Sequence, residues 1–564
     1  MSPTDWIILV VTVLGIVLYG TWKSRGTRRI STFLLADREL PWYHVGLSVM
    51  ATQASAITFL SAPGQAYTDG MRFVQFYFGL PLAMVVLCIT FVPAFRKLNV
   101  YTAYEFLEQR FDTKTRTLTA ALFLFQRGLS TGVTIYAPAI ILSTILKIDI
   151  LYTIIFNGVI VISYTVYGGT KAVSYTQLLQ MSIIFGGLFL AAYMVVHLLP
   201  PEIGFTDALK VAGKMNKLNA IDTKFDLNNR YNIWSGLIGG FFLQLSYFGT
   251  DQSQVGRYLT GSSVKQSRLG LVMNGLLKIP MQFFIFMIGA LVFVFYQFTA
   301  PPLYFNGAEA QSVKQSQYAE AYTNDEQAYK EAFDRKKEKA MQLAGAMKSN
   351  NATAIEQAKT ELLRADSSSQ AIRKHALGII KNHHPDADTN DGNFVFLTFV
   401  TQQLPVGVVG LLMAVIFLAA MGSTASGMNS LASTTVVDFY KRFTRRELNE
   451  SESLIASRKA TLAWGVFCIV AAIFASRLGN LIEAVNILGS LFYGTILGIF
   501  LVAFYLKKVG GTAVFYAALI TEALVVIAWL CDLMAFLWLN VLGCLLVALL
   551  SLLAEKLFFK NVSG

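Results

Sequence analysis

Apolar runs alternate with short polar stretches along almost the whole chain. The runs fall at 5–22, 44–66, 73–95, 117–145, 149–167, 175–199, 232–256, 270–298, 396–438, 459–476, 481–505, 512–531 and 534–555. A helix needs roughly 20 apolar residues to cross the hydrocarbon core of a bilayer. The pattern therefore predicts an all-α polytopic membrane protein with thirteen transmembrane helices. Two runs are interrupted. The second, GLSVMATQASAITFLSAPGQAY, carries small and polar residues at its middle. The seventh, SGLIGGFFLQLSYFGTDQ, is punctuated by Gly236, Gly239, Gly240 and Gly249.

Those interruptions suggest an architecture. With spans two to six as one half and seven to eleven as the next, an interrupted helix heads each half. Five spans is an odd number, so the halves are inverted relative to each other, as in secondary transporters whose unwound midplane backbone binds ion and substrate. The expected organisation is a first span and cytoplasmic linker (1–30), a first five-helix repeat (41–200), a second repeat (230–298 and 394–506) and two additional C-terminal spans (511–564). Residues 299–393 break the apolar pattern. They are rich in Ala, Glu, Lys and Gln, as in DEQAYKEAFDRKKEKAMQLAGAMK, and predict two or three solvated helices on the outer face. His375, His383 and His384 lie near Asp386, Asp388 and Asp391, where a solvated loop is a better reading than a metal site.

The ninth span is unusual in another way. LAAMGSTASGMNSLASTTVVDFY (418–440) places Ser423, Ser426, Ser430 and Ser433 at helical spacing, with Thr424 beside them. A hydroxyl in hydrocarbon needs a partner, because an unsatisfied polar group costs several kcal/mol, about 2–7 by transfer data. Such a face either packs two helices tightly through small residues or lines a polar path.

Composition agrees with a membrane protein. The 564 residues are 54% hydrophobic and 14% charged, against about 25% charged in ordinary soluble domains. The net charge of +12 is in part a topology signal rather than a nucleic-acid footprint. Lys23, Arg25, Arg28, Arg29 and Arg38 fill one loop, and Arg96, Lys97, Arg110, Lys114 and Arg116 a second. Arg257, Lys265 and Arg268 fill a third, and Lys441, Arg442, Arg445, Arg446, Arg458 and Lys459 a fourth. All lie on one side if the spans alternate, and basic loops mark the cytoplasm. The N-terminus is then outside and the C-terminus inside a cell (inner) membrane. Met1 to Leu18 lacks a basic leader and is expected to be a span, not a signal peptide. The four cysteines sit in apolar runs without metal-like spacing.

Four stretches add a family resemblance. AYEFLEQRFD (103–112), VYGGTKAVSYTQLLQ (166–180), TDQSQVGRYL (250–259) and NSLASTTVVDFY (429–440) resemble the sodium:solute symporter family, whose members carry proline, sialic acid, sugars, monocarboxylates, vitamins and iodide with sodium. The resemblance covers nearly the whole chain except 299–393. It implies a leucine-transporter-type fold, alternating access and a co-transported sodium ion held between the second and ninth spans. Matching through SVMATQASAITF places two carbonyl ligands at Ala51 and Ala54. A gapless match through NSLASTTVVDFY places the third carbonyl at Ala419 and a hydroxyl pair at Gly422 and Ser423. Gly422 has no hydroxyl, so Ser423 survives alone, with Thr424 a substitute. Members that couple two sodium ions carry an aspartate where this chain has Gln177, and Ala425 stands at an accompanying serine position. One sodium per substrate is therefore expected.

The resemblance also locates a substrate pocket. Gln53, Ser55 and Thr58 match positions that face substrate in the sialic-acid carriers, while the arginine those carriers use for a carboxylate matches Ser130. Arg127 lies one turn earlier. It could meet an anion, pair with a carboxylate such as Glu483, or face an inner water cavity. Gln75, Gln244, Asn486, Ser490 and Tyr493 are pocket candidates, although polar residues that pack helices have the same signature. The leading expectation is a symporter of a small polar organic solute such as a sugar or a carboxylate. The alternative is a membrane solute sensor on the same fold, against which the short C-terminus argues. No catalytic triad, metal-ligand cluster or phosphate loop points to an enzyme.

Overall fold

The computed structural model describes residues 1–23, 30–349, 351–385, 387–444, 449–475 and 479–559. Arg25, Arg28, Arg29, Asp386, Arg445 and Arg446, named above, lie outside them. The described chain is helical, with a single isolated bridge between Leu40 and Gly261. Ten helices among the described residues are long and apolar enough to cross a membrane, so length and composition alone do not reach thirteen. The difference has local causes. The second and third runs fuse into one segment, Ala56–Lys97; the fifth yields only a short apolar helix, Ile150–Ser163; and the seventh is divided into short pieces.

The second run breaks in the middle. Helix Trp42–Gln53 ends, Ala54 and Ser55 take non-helical dihedrals (ψ 83° and 174°), and a new helix runs over Ala56–Asp69. The break redirects hydrogen bonds. Ser55 N–H donates to the Gln53 carbonyl and Thr58 N–H to the Ser55 carbonyl. In a continuous helix those donors would have reached Ala51 and Ala54. Both carbonyls are thereby released.

The seventh run breaks elsewhere than its glycines suggest. Helix Gly240–Thr250 stops at Asp251 (φ −76°, ψ 117°), and Gln252–Tyr258 restarts with the Asp251 side chain as its N-cap. The glycines are contact points instead. A Cβ on Gly236 or Gly240 would run into the backbone carbonyls of Gln75 or Phe76, and on Gly249 into Leu87 and Phe91. Between the fifth and sixth runs, helix Ile150–His197 is kinked at Gly169. Its dihedrals (φ 58°, ψ −172°) suit only glycine, and Phe33 packs where a Cβ would be.

Helix Val408–Thr434 runs through the centre, buried along nearly its whole length. At the basic end its continuation carries Asp438, which accepts from Thr102 Oγ1 (2.9 Å) and pairs with Arg116 (2.7 Å), tying this helix to the 102–116 loop region. At the opposite end residues 299–393 form helices Gly307–Lys314, Ala319–Lys348 and Ala352–His383. Their own apolar cluster includes Tyr322, Ala376 and Ile380. Lys214–Glu356 and the Lys348 bond to the Glu202 carbonyl attach them to the 199–217 region. His375 pairs with Asp325 and His384 with Glu309. Among the described residues no group of three or more His, Cys, Asp or Glu side chains is placed to hold a metal ion.

Candidate ion and solute site

The first break meets the central helix. Thr52 Oγ1 lies 3.2 Å from Ser426 Oγ, which brings the interrupted helix up to the serine-bearing face. On that face Ser423 Oγ donates back to the carbonyls of Ala419 (2.9 Å) and Ala420 (3.2 Å), leaving its lone pairs unused. Thr424 Oγ1 is buried with no hydrogen-bond partner. The released carbonyls of Ala51 and Ala54 on one helix and the hydroxyls of Ser423 and Thr424 on the other supply a set of neutral oxygens. Hard cations require such a set where a carboxylate would be costly to bury.

Gly422 is explained by its neighbour. A Cβ placed on Gly422 would stand 2.5 Å from Gln180 Oε1 and 3.6 Å from Gln177 Cγ. The carboxamide oxygen of Gln180 thus occupies the space that a hydroxyl side chain at 422 would fill. Sequence reasoning missed Gln180, although it lies three residues beyond Gln177 and hence on the same helix face. Gln177 itself is fully engaged. Its Oε1 accepts from Ser48 Oγ (2.6 Å), and its Nε2 donates to Ser426 Oγ (3.1 Å) and Thr52 Oγ1 (3.2 Å).

A cavity of about 100 Å³ adjoins this set. Gln53, Ser55, Thr58, Arg127, Gln244 and Asn486 all line it, and so do Ser423, Ser130 and Tyr493. Gln75 and Ser490 lie outside it. Gln75 donates to the Tyr231 carbonyl (3.0 Å) and accepts from Asp222 N–H (3.0 Å), stapling the 222–231 loop. Ser490 accepts from Asn540 Nδ2 (2.9 Å) and joins two helices.

Arg127 has a different partner from Glu483. Glu483 pairs with Arg230 and accepts from Tyr231 OH. Arg127 Nη1 lies 3.6 Å from Asp251 Oδ2, at the second break. Asp251 was overlooked as a site residue even though an acid inside an apolar run is itself a signal. Tyr247, whose ring lies 5.9 Å from the guanidinium, completes that wall.

Two interrupted helices packed on a central helix, with a polar cavity at the first interruption, are the marks of a leucine-transporter-type fold. A sequence model of the sodium:solute symporter family matches residues 33–321 and 375–521, and the chain belongs to that family. It is a family of sodium-coupled transporters, not enzymes. The chain is 23% identical to the sodium/sialic acid symporter SiaT of Proteus mirabilis over 570 residues, 98% of this chain and 95% of that one. It is 26% identical to the sodium/glucose cotransporter of Vibrio parahaemolyticus, over 90% and 82% of the two chains. The human sodium/iodide cotransporter is 32% identical over 267 residues, and that match spans only 41% of its length. Among solved structures, a substrate-bound, outward-open sodium-coupled sialic acid symporter superposes with a TM-score of 0.76 at 21% identity, covering 99% of this chain and 98% of that one. That similarity establishes the fold.

Proposed function

We propose that this protein is a sodium-coupled symporter that imports a small polar organic solute by alternating access, with one sodium ion per solute. The observation that carries the reading is the position of Ser423. It belongs to the oxygen set at the first break and also lines the solute cavity. Ion and solute then share a wall, so occupancy of one site changes the free energy of the other, which is what coupling requires. Sodium would be held by the carbonyls of Ala51, Ala54 and Ala419 and by Ser423, with Thr424 and Gln180 as the remaining oxygens. Gln53, Ser55, Thr58, Gln244, Asn486 and Arg127 would face the solute.

The stoichiometry follows from Gln177. Its amide donates to the oxygens of Thr52 and Ser426, and an N–H aimed at those oxygens opposes a cation there. The basic loops face the cytoplasm in this reading, which puts residues 299–393 and the N-terminus outside a bacterial-type inner membrane. Purified protein in proteoliposomes tests the proposal through sodium-dependent counterflow of a labelled solute. Flux that needs a sodium gradient supports a symporter; solute binding without any flux would leave only a sensor.

A further inference from the structure

We infer that the solute carries a carboxylate, that Arg127 binds it, and that Asp251 is the fixed counter-charge which holds the guanidinium at the cavity wall. The inference rests on the cavity being the solute site.

Arg127 is 8% exposed and lines the cavity. A guanidinium has five N–H donors, and burying a charge without hydrogen bonds is expensive. Its Nε has no partner. The nearest carboxylate oxygen, at 3.6 Å, balances the charge from beyond hydrogen-bond distance. Asp251 cannot close that gap cheaply, because its oxygens are engaged. Oδ1 accepts from Ser253 N–H (2.8 Å) and Ser253 Oγ (2.6 Å), and Oδ2 accepts from Tyr493 OH (2.7 Å). The acid is fixed and satisfied, whereas the guanidinium has the Tyr247 hydroxyl beside it and an Nε still without an acceptor. That asymmetry favours an incoming acceptor with negative charge, and the planar fork of arginine matches a carboxylate.

Two amides that line the same cavity add a second requirement. Gln53 Nε2 and Gln244 Oε1 face each other at 3.4 Å, leaving Gln53 Oε1 and Gln244 Nε2 buried without partners. Whichever way the two amides are turned, one acceptor and one donor remain. A hydroxyl on the solute would use both, donating to one and accepting from the other. Charge counting points the same way. Arg127 and Asp251 cancel, so a monocarboxylate and one sodium ion entering together leave the occupied centre neutral. A neutral sugar would leave the charge of the sodium ion unbalanced, and a dicarboxylate would leave a net negative charge in a low-dielectric site.

The test is a thermal-shift assay on the purified full-length protein, in sodium and in potassium, with lactate, pyruvate and propionate set against their primary amides and against hexoses. A ligand of the folded state raises apparent stability by mass action. The expected result is a sodium-dependent shift with at least one carboxylate and none with its amide. Arg127→Gln should raise the carboxylate Kd by tenfold or more while the shift produced by sodium alone persists. Asp251→Asn removes the counter-charge that holds the guanidinium at the wall and should raise that Kd several-fold while the shift produced by sodium alone persists; an unchanged carboxylate Kd would overturn the role given to Asp251. Should Arg127→Gln fail to fold, the comparison of carboxylate with amide on the unaltered protein still decides. A sodium-dependent shift with hexoses or amides but not carboxylates overturns the inference and leaves the symporter reading intact. No shift with sodium or any solute overturns both.

Discussion

The two interrupted spans break on opposite kinds of residue. At Ala54 and Ser55 the chain offers neutral backbone, and the interruption works by removing donors: two carbonyls lose their helical partners beside a helix that carries the hydroxyls of Ser423 and Thr424. At Asp251 the interruption brings a full negative charge, which caps the next half-helix through Ser253 and faces Arg127 across 3.6 Å. The two breaks therefore offer different chemistry. Carbonyl dipoles suit a cation that must enter and leave, because neutral ligands bind it without a buried carboxylate to desolvate. A fixed carboxylate suits a permanent partner such as arginine, whose charge never titrates.

The largest test of that contrast is Ser423→Ala. Removing the hydroxyl opposite the first break takes away an oxygen that no backbone group replaces. Sodium-driven uptake in proteoliposomes should fall by at least an order of magnitude, with about 1.5–3 kcal/mol expected for a hydrogen bond or ligand to a charged group. Uptake that survives this substitution would move the ion site away from the first break.

A smaller effect sharpens the role of Gln180. Gln180→Ala should weaken sodium binding several-fold, read as the sodium concentration needed for a half-maximal thermal shift. Gly422→Ser should also weaken it, because the new Cβ would stand 2.5 Å from Gln180 Oε1. The double variant restores a hydroxyl and clears its space, so it should lie closer to the unaltered protein than either single variant. Additive losses would show that the two positions are uncoupled.

Gln177→Asp asks whether the neutral character of this wall sets the ion count. A carboxylate would accept from Ser48 and would cease to donate to Thr52 and Ser426, freeing both hydroxyl oxygens for a cation. The expected change is a ratio of labelled sodium to solute that rises from one toward two, with little effect on solute affinity. An unchanged ratio would mean that Ala425, rather than Gln177, limits the second site.

The sequence carried most of the fold because lipid imposes a simple rule: helices must be apolar and long. The runs and the break at 54–55 were visible for that reason, since ATQAS is too polar and too small for a lipid-facing middle. The second break was misjudged. Glycines suggest flexibility, yet Gly236, Gly240 and Gly249 admit neighbouring elements into close contact, and the interruption falls on Asp251. The solute wall was legible only in part. Gln53 and Gln75 look alike in sequence, but one lines the cavity and the other holds a loop through Tyr231 and Asp222. Periodicity places a polar side chain on a helix face without saying whether its partner is a ligand or another turn of chain.

That ambiguity gives the smallest prediction, on the lower part of the same serine face. Ser430 Oγ donates to the Gly427 carbonyl (2.7 Å) and Ser433 Oγ to the Ser430 carbonyl (2.9 Å). These are bonds inside their own helix, and neither residue lines the cavity. Both serines are then small residues that let helices approach. Ser430→Ala and Ser433→Ala should each change stability by about 0.5 kcal/mol or less and leave sodium affinity and solute flux as they are. The control isolates the contrast between the two breaks: if Ser430→Ala costs as much transport as Ser423→Ala, the serine face acts as one continuous polar path and the first break loses its special place in it.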